Sequence, residues 1–324
     1  MINEPVLLHD WHPVASVAQL ATQPLLGVRL LGEDLVIWQA EGQFYAWQDL
    51  CIHRGVKLSL GKVLGDTLRC PYHGWTYNCA GQCVHIPAHP DQTPPAKAQV
   101  KRYQIQARYG LLWVCLGEPK ADVPTLPEWE DSRFATAVFG PYAHLRAHGP
   151  RLVENFLDAA HFPFVHEGVL GTPDRTEIGE YEARIGPNGV ESDPILVYQP
   201  APYGGEAGQV SYTYHAYRPL TAHFTKQMPN ATNGMVLTVT PHDELDSSVW
   251  FLVATTAQRD SATLQRDYQA RMQKIFEEDY AVVAAQRPEL LPLDLQAELH
   301  LRSDRVAIAY RQWLRQLGLS FGTA

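Results

Sequence analysis

The tightest constraint on this chain is a spacing. Cys51-Ile52-His53 is followed by residues 54–69 and then by Cys70-Pro71-Tyr72-His73. Each half offers one thiolate and one imidazole within a tight turn. A Cys2His2 set can hold structural zinc, but zinc modules usually pair cysteine with cysteine in each knuckle. Mixed knuckles suit a [2Fe–2S] cluster in which one iron takes two thiolates and the other two imidazoles. Such ligation gives a higher reduction potential than an all-thiolate plant-type cluster. Gly55 and Gly74 allow close backbone approach, and Pro71 stiffens the second turn. Cys79, Cys83 and Cys115 fall outside the pattern. Cys79-x3-Cys83 has no matching partners after it, so all three read as buried or partly buried free thiols.

A second constellation lies in Asn155-Phe156-Leu157-Asp158-Ala159-Ala160-His161-Phe162-Pro163-Phe164-Val165-His166. On an ideal helix His161 and His166 are about 500° apart and do not share a face. Pro163 should kink or end a helix running over about 151–162, which lets His166 swing back towards His161. Two histidines and a carboxylate in an apolar setting favour a metal over satisfied core histidines. Iron held by two histidines and one carboxylate needs a further acid. The helix expected from about Ser261 to Gln286 supplies one. At about 100° per residue from Leu264, the residues Leu264, Tyr268, Met272, Ile275, Phe276, Val282 and Val283 span roughly 0–120°. Asp279 falls near 60°, Glu278 near −40° at the margin, and Glu277 near 220° on the far side. A carboxylate on a buried face needs a partner, either a metal or an arginine from elsewhere.

The chain has 324 residues, enough for about two domains. Lys plus Arg is 26 and Asp plus Glu is 35, a net charge of −9 that argues against nucleic-acid or anionic-membrane binding. No apolar run reaches the ~18 residues of a membrane helix, and the start lacks a signal-peptide pattern, so a cytoplasmic protein is expected. Residues 27–118 carry many short apolar runs separated by turn signals such as Gly32-Glu33-Asp34 and Glu41-Gly42-Gln43, which predicts a small antiparallel sandwich or barrel. The proline-rich stretch Pro119 to Pro127 reads as a linker. Beyond it come the helix around 151–162, strands between about 180 and 257, the long helix, and a last helix from Ser303 to Leu317. The class is α+β. An all-β domain over residues 1–130 is followed by an α+β domain over 131–324, with an antiparallel sheet flanked by helices.

The turns His53-Arg54-Gly55 and Cys70-Pro71-Tyr72-His73-Gly74-Trp75 resemble the Rieske domain of the Rieske non-haem iron oxygenases, and the likeness covers nearly the whole chain. It implies that Cys51, His53, Cys70 and His73 hold the cluster and that His161, His166 and Asp279 are iron ligands. It implies that Asp158 is the bridge that passes electrons from the neighbouring subunit's cluster to this iron, and that Asn155 has a supporting role beside it. The wording is most similar to Rieske hydroxylases of saxitoxin-type pathways, through Ile86-Pro87-Ala88-His89-Pro90-Asp91, His166-Glu167-Gly168, Ser303-Asp304-Arg305 and Ala309-Tyr310-Arg311. Vanillate- and dicamba-type demethylases share the same iron motifs.

The resemblance implies a homotrimeric enzyme with a [2Fe–2S] cluster, mononuclear Fe(II) and O₂ as co-substrate. Electrons would come from NAD(P)H through a separate reductase, with or without a ferredoxin; the chain has no GxGxxG fingerprint of its own. The expected reaction is hydroxylation of a C–H bond in a small organic molecule. The alternatives are O- or N-demethylation, a Rieske-type electron carrier, and a zinc-stapled module. Tyr198, Tyr203, Tyr212, Tyr214, Tyr217, His215, His223, Met228 and Met235 lie in the stretch 190–257 expected to line the substrate pocket.

Overall fold

The structure, a computed structural model, describes residues 2–258 and 260–324, and only the backbone of His144. Contacts divide the chain into two compact units between Val123 and Pro124. The amino-terminal unit is all-β. One antiparallel sheet runs in the order His12–Ser16, Leu111–Cys115, Arg102–Arg108, Gln43–Gln48, Glu33–Ala40, Leu25–Leu30. A second runs Lys62–Leu64, Thr67–Arg69, Thr76–Asn78, Cys83–His85. Three hairpins of the larger sheet turn on two residues, Leu31-Gly32, Glu41-Gly42 and Tyr109-Gly110, all with positive φ. That backbone twist matches the twist of the flanking strands. The first turn sits one residue earlier than Gly32-Glu33-Asp34 predicts, because Glu33 already pairs with Leu30. Trp38 and Trp47 meet edge-on at 4.8 Å and form a core with Val36, Leu58, Leu68 and Tyr77. Cys83 lies in this core, Cys115 is buried and Cys79 is half-buried, all as free thiols.

The second unit is built on an eight-stranded antiparallel sheet. Its order is Ala135–Leu145, Ser247–Thr255, Thr232–Pro241, Thr221–Gln227, Gly208–Arg218, Gly189–Ser192, Ala183–Gly186; Ile195–Gln199 also pairs with Gly208–Arg218. All nine residues of Ser247–Thr255 are buried, as expected of a strand covered on both faces. The helix Ser261–Ala285 packs against the strand Ala135–Leu145 and the helix Gly149–Phe156. Asp260 caps its start by accepting from the backbone N–H groups of Ala262 and Thr263. Leu264, Tyr268, Met272, Phe276 and Val283 are its buried stripe, whereas Val282, expected on that stripe, is exposed. No described helix is long and apolar enough to cross a membrane.

One expectation fails locally, and the failure places the site. The single helix expected over 151–162 is two, Gly149–Phe156 and Phe162–Val165, with Asp158 in the turn between them. The Asp158 side chain accepts the backbone N–H of Ala160 at 2.8 Å, a local bond that competes with helix continuation. Pro163 then falls in the first turn of the second helix, where its missing N–H costs nothing, rather than ending the first. The last helix is Arg305–Leu317, entered through a 3₁₀ turn at Arg302–Asp304 and stopped by Gly318 with φ +73°. Its Arg311 is buried and donates to Glu154 at 2.8 Å, tying it to the helix that leads into the site.

Candidate metal centres

The first centre forms where the chain leaves the strand Gln43–Gln48 and where Thr67–Arg69 turns into Thr76–Asn78. The backbone N–H of Cys51 donates to Val56 O, and that of Cys70 to Trp75 O, both at 2.8 Å. Gly74 has φ +71°, and a Cβ there would approach Pro87 Cγ to 2.9 Å, so the second turn admits only glycine. Both cysteines are buried, His53 is half-buried and His73 is exposed. The His53 ring stacks on Trp75 at 4.5 Å and lies 4.6 Å from His73, centre to centre. Burial pushes the Cys70 thiol up in pKa, and neighbouring Cys51 adds to this against the N–H groups of Tyr72 and His73. Burial and the charges of His73 and Arg54 pull His53 down. Its Nδ1 is buried without a hydrogen-bond partner. Two buried thiols, an unpaired imidazole nitrogen and a second imidazole at the mouth fit a cluster with two sulfur and two nitrogen ligands.

The second centre gathers residues that are far apart in sequence. His161 Nδ1 lies 3.1 Å from Asp158 Oδ2, and His166 Nδ1 lies 2.8 Å from Glu278 Oε2. An ionised carboxylate only accepts, so each Nδ1 carries the hydrogen and each Nε2 keeps a free lone pair. Both Nε2 atoms point at one oxygen, Asp279 Oδ1, at 3.3 Å for His161 and 3.0 Å for His166. The three donor atoms lie within 4.8 Å of one another. Burial works to raise Asp279 in pKa, but hydrogen bonds from the two histidines outweigh it and hold the carboxyl down. Burial works to lower His161, but hydrogen bonds to Asp158 and Asp279 win and raise it to about 9. A site that stabilises an imidazolium this strongly has the field for a divalent cation. Two imidazoles and a carboxylate on one side match a facial iron site with open positions.

These three residues look into a cavity lined by Asn155, Phe156, Phe162, Leu170, Tyr212, Phe224, Met235, Phe251, Tyr268, Met272 and Ile275. Asp158 is one third exposed and faces a separate hollow with Tyr181, Val282, Gln286, Leu299 and His300. Of the nine pocket candidates in 190–257, only Tyr212 and Met235 line the cavity. Tyr198 packs instead under Arg175, and His223 meets Glu128 at 3.2 Å. Sequence reasoning missed Glu278, Lys226 and Arg271. Glu278 adjoins Asp279 and was set aside as marginal in helical phase. Lys226 alternates with Phe224 on one strand, a signal that needs the buried face to be known first.

Residues 10–104 match the family pattern described as Rieske [2Fe-2S] domain, and residues 145–320 match the Vanillate O-demethylase oxygenase C-terminal domain. The chain is 32% identical over 323 residues to methylxanthine N1-demethylase NdmA of Pseudomonas putida, covering 96% of this chain and 89% of that one. The solved structure of NdmA with caffeine superposes with a TM-score of 0.82 at 31% identity, over 96% of this chain and 91% of that one. Dicamba monooxygenase bound to dicamba shares the fold, with a TM-score of 0.76 at 20% identity over 96% and 97%. Oxidoreductase NdmD of Pseudomonas putida is 35% identical over 133 residues, 40% of this chain and 22% of NdmD.

Proposed function

This chain belongs to the Rieske non-haem iron oxygenases, and we propose that it is a demethylase that oxidises an N- or O-methyl group of a small aromatic molecule. The match of its catalytic half to the vanillate O-demethylase domain carries this reading, with the NdmA likeness beside it. C–H hydroxylation, first in the sequence reading, becomes second to demethylation. The balanced reaction takes R–X–CH₃, O₂, NAD(P)H and a proton to R–X–CH₂OH, NAD(P)⁺ and water. The hydroxymethyl adduct, with X nitrogen or oxygen, then collapses to R–XH and formaldehyde.

In this reading Cys51, His53, Cys70 and His73 hold the cluster, and His161, His166 and Asp279 hold the iron. When bound, the two metal groups store electrons and activate O₂; the protein supplies geometry and field. Asp158 and Glu278 fix the tautomer and tilt of the two imidazoles. Asp279 brings the negative charge, and the aromatic lining excludes water from the reacting methyl group. Asp158 also connects this centre with the cluster of a neighbouring subunit in a homotrimer, and Asn155 supports that corner. The enzyme works in the cytoplasm, where an NAD(P)H-fed reductase supplies electrons.

The test is turnover with a reductase and a panel of methoxy- and N-methyl-aromatics. Formaldehyde released in step with NADH consumed is expected. A product that gains oxygen and keeps its methyl group would return the assignment to hydroxylation.

A further inference from the structure

The cavity has a second end that the metal chemistry does not use. Lys226 is 3% exposed, and its side chain reaches the space that the metal-site residues line. It stands in register between Tyr212 and Asn233 on neighbouring strands, so the three share one face of the sheet. Its one hydrogen bond is to Gln199 Oε1 at 3.3 Å, and Gln199 in turn donates to Tyr212 OH at 2.7 Å. Asn233 is already used, accepting from Thr255 Oγ1 and donating to Tyr203 O. Arg271 enters from the long helix. Its Nη2 donates to Ala201 O at 3.1 Å, while its Nε is buried with no hydrogen-bond partner. Among the described residues, no ion pair includes Lys226 or Arg271.

Two cations at one end of an aromatic cavity, with no carboxylate of the chain to balance them, are costly to bury. Burial, with the charge of Arg271 added, pulls Lys226 down to about 7 in pKa. The missing countercharge has to come with the ligand. We infer that the cavity takes an anionic substrate, an aromatic or heteroaromatic acid whose carboxylate sits at Lys226 and Arg271 while its methyl group faces His161, His166 and Asp279. This rests on the demethylase reading above and names its substrate class. Arg271 and Asp279 are eight residues apart on one helix, about 12 Å at about 1.5 Å per residue. A flat ring system between them would lie among Phe156, Phe224, Phe251 and Met272. Caffeine, which carries no charge, is then a poor ligand here.

The experiment titrates the holoenzyme by calorimetry with matched pairs: 4-methoxybenzoate against its methyl ester, and 6-methoxy-2-naphthoate against its methyl ester, with caffeine alongside. At least one acid should bind at least tenfold more tightly than its ester and than caffeine. That preference should fall below threefold in Lys226→Met and Arg271→Met, with iron content and cluster absorption retained. Esters or caffeine that bind as tightly as the acids, an absence of binding by both acids, or a preference that survives both substitutions overturns the inference. The comparison in the unsubstituted enzyme needs no variant to fold. An acid that binds and is hydroxylated with its methyl group retained overturns the demethylase reading alone. An ester that binds as well as its acid and releases formaldehyde overturns the anion inference alone.

Discussion

Glu278 Oε2 sits 2.8 Å from Nδ1 of His166, on the side of the ring away from Asp279. Consecutive residues of one helix thus hold opposite edges of the same imidazole, and Lys274 lies 3.7 Å from the other oxygen of Glu278. Removing such an outer carboxylate usually weakens metal binding 10–100-fold. Glu278→Ala should therefore lower the affinity for the mononuclear iron by about that factor while leaving the cluster spectrum unchanged. Glu278→Gln, which still accepts a hydrogen bond, should fall between. Iron titration of the metal-depleted protein measures this; wild-type affinity in Glu278→Ala would remove Glu278 from the site.

Asp279→Ala should go further, because the lost oxygen is the one on which both Nε2 atoms converge. Iron content should drop from about three to about two per chain, with the cluster signal intact and turnover abolished. Asp294, the other acid considered for this role, spends an oxygen on the backbone N–H of Gln296 instead. Full iron content and full activity in Asp279→Ala would refute the ligand assignment.

Asp158→Asn tests a different property. The amide keeps the acceptor toward Ala160 N–H, so the turn between the two short helices should survive. Iron should be largely retained and the cluster spectrum normal. Activity should fall by orders of magnitude, read by stopped-flow as slow oxidation of a pre-reduced cluster on mixing with substrate and O₂. Oxidation at the wild-type rate would leave Asp158 a structural residue only.

Acid stability should depend on Glu128, which is buried in the second unit. Burial works to raise its carboxyl, but His223 and the Thr225 hydroxyl outweigh it and lower the pKa to about 2. A depressed carboxylate stabilises the fold above its unfolded value and loses that contribution as pH falls towards its folded value. From 4.5 to about 2, the contribution is at most about 3 kcal/mol. Glu128→Gln should be less stable than wild type at pH 6, and the gap should close between about pH 4.5 and 2. Thermal unfolding across that range checks it; a gap independent of pH would show that shape, not charge, matters.

What could be read from the sequence divides by distance along the chain. The cluster turns were legible because four ligands lie in two short loops whose spacing few other sites share. Asp279 was legible through helical phase, since a carboxylate in the middle of a buried stripe needs a partner. Glu278 was not, because phase locates a Cα while two methylenes let the carboxylate bend back over the helix edge to His166. The break at Asp158 was hidden because a side-chain bond to Ala160 decides it, whereas Pro163 drew attention to the wrong residue. Lys226 was invisible because alternation along a strand says which residues share a face, not which face meets the cavity.

The helix Ser261–Ala285 carries Arg271, Met272 and Ile275 on the cavity wall, and Glu278 and Asp279 at the metal site. This arrangement bears on how such a chain can diverge. Point substitutions at 271, 272 or 275 can retune what is accepted without disturbing Asp279. Inserting or deleting one residue between 271 and 279 would rotate one end against the other by about 100° and shift it about 1.5 Å. Descendants of this protein should therefore vary freely in side chains along these two turns while their length stays fixed.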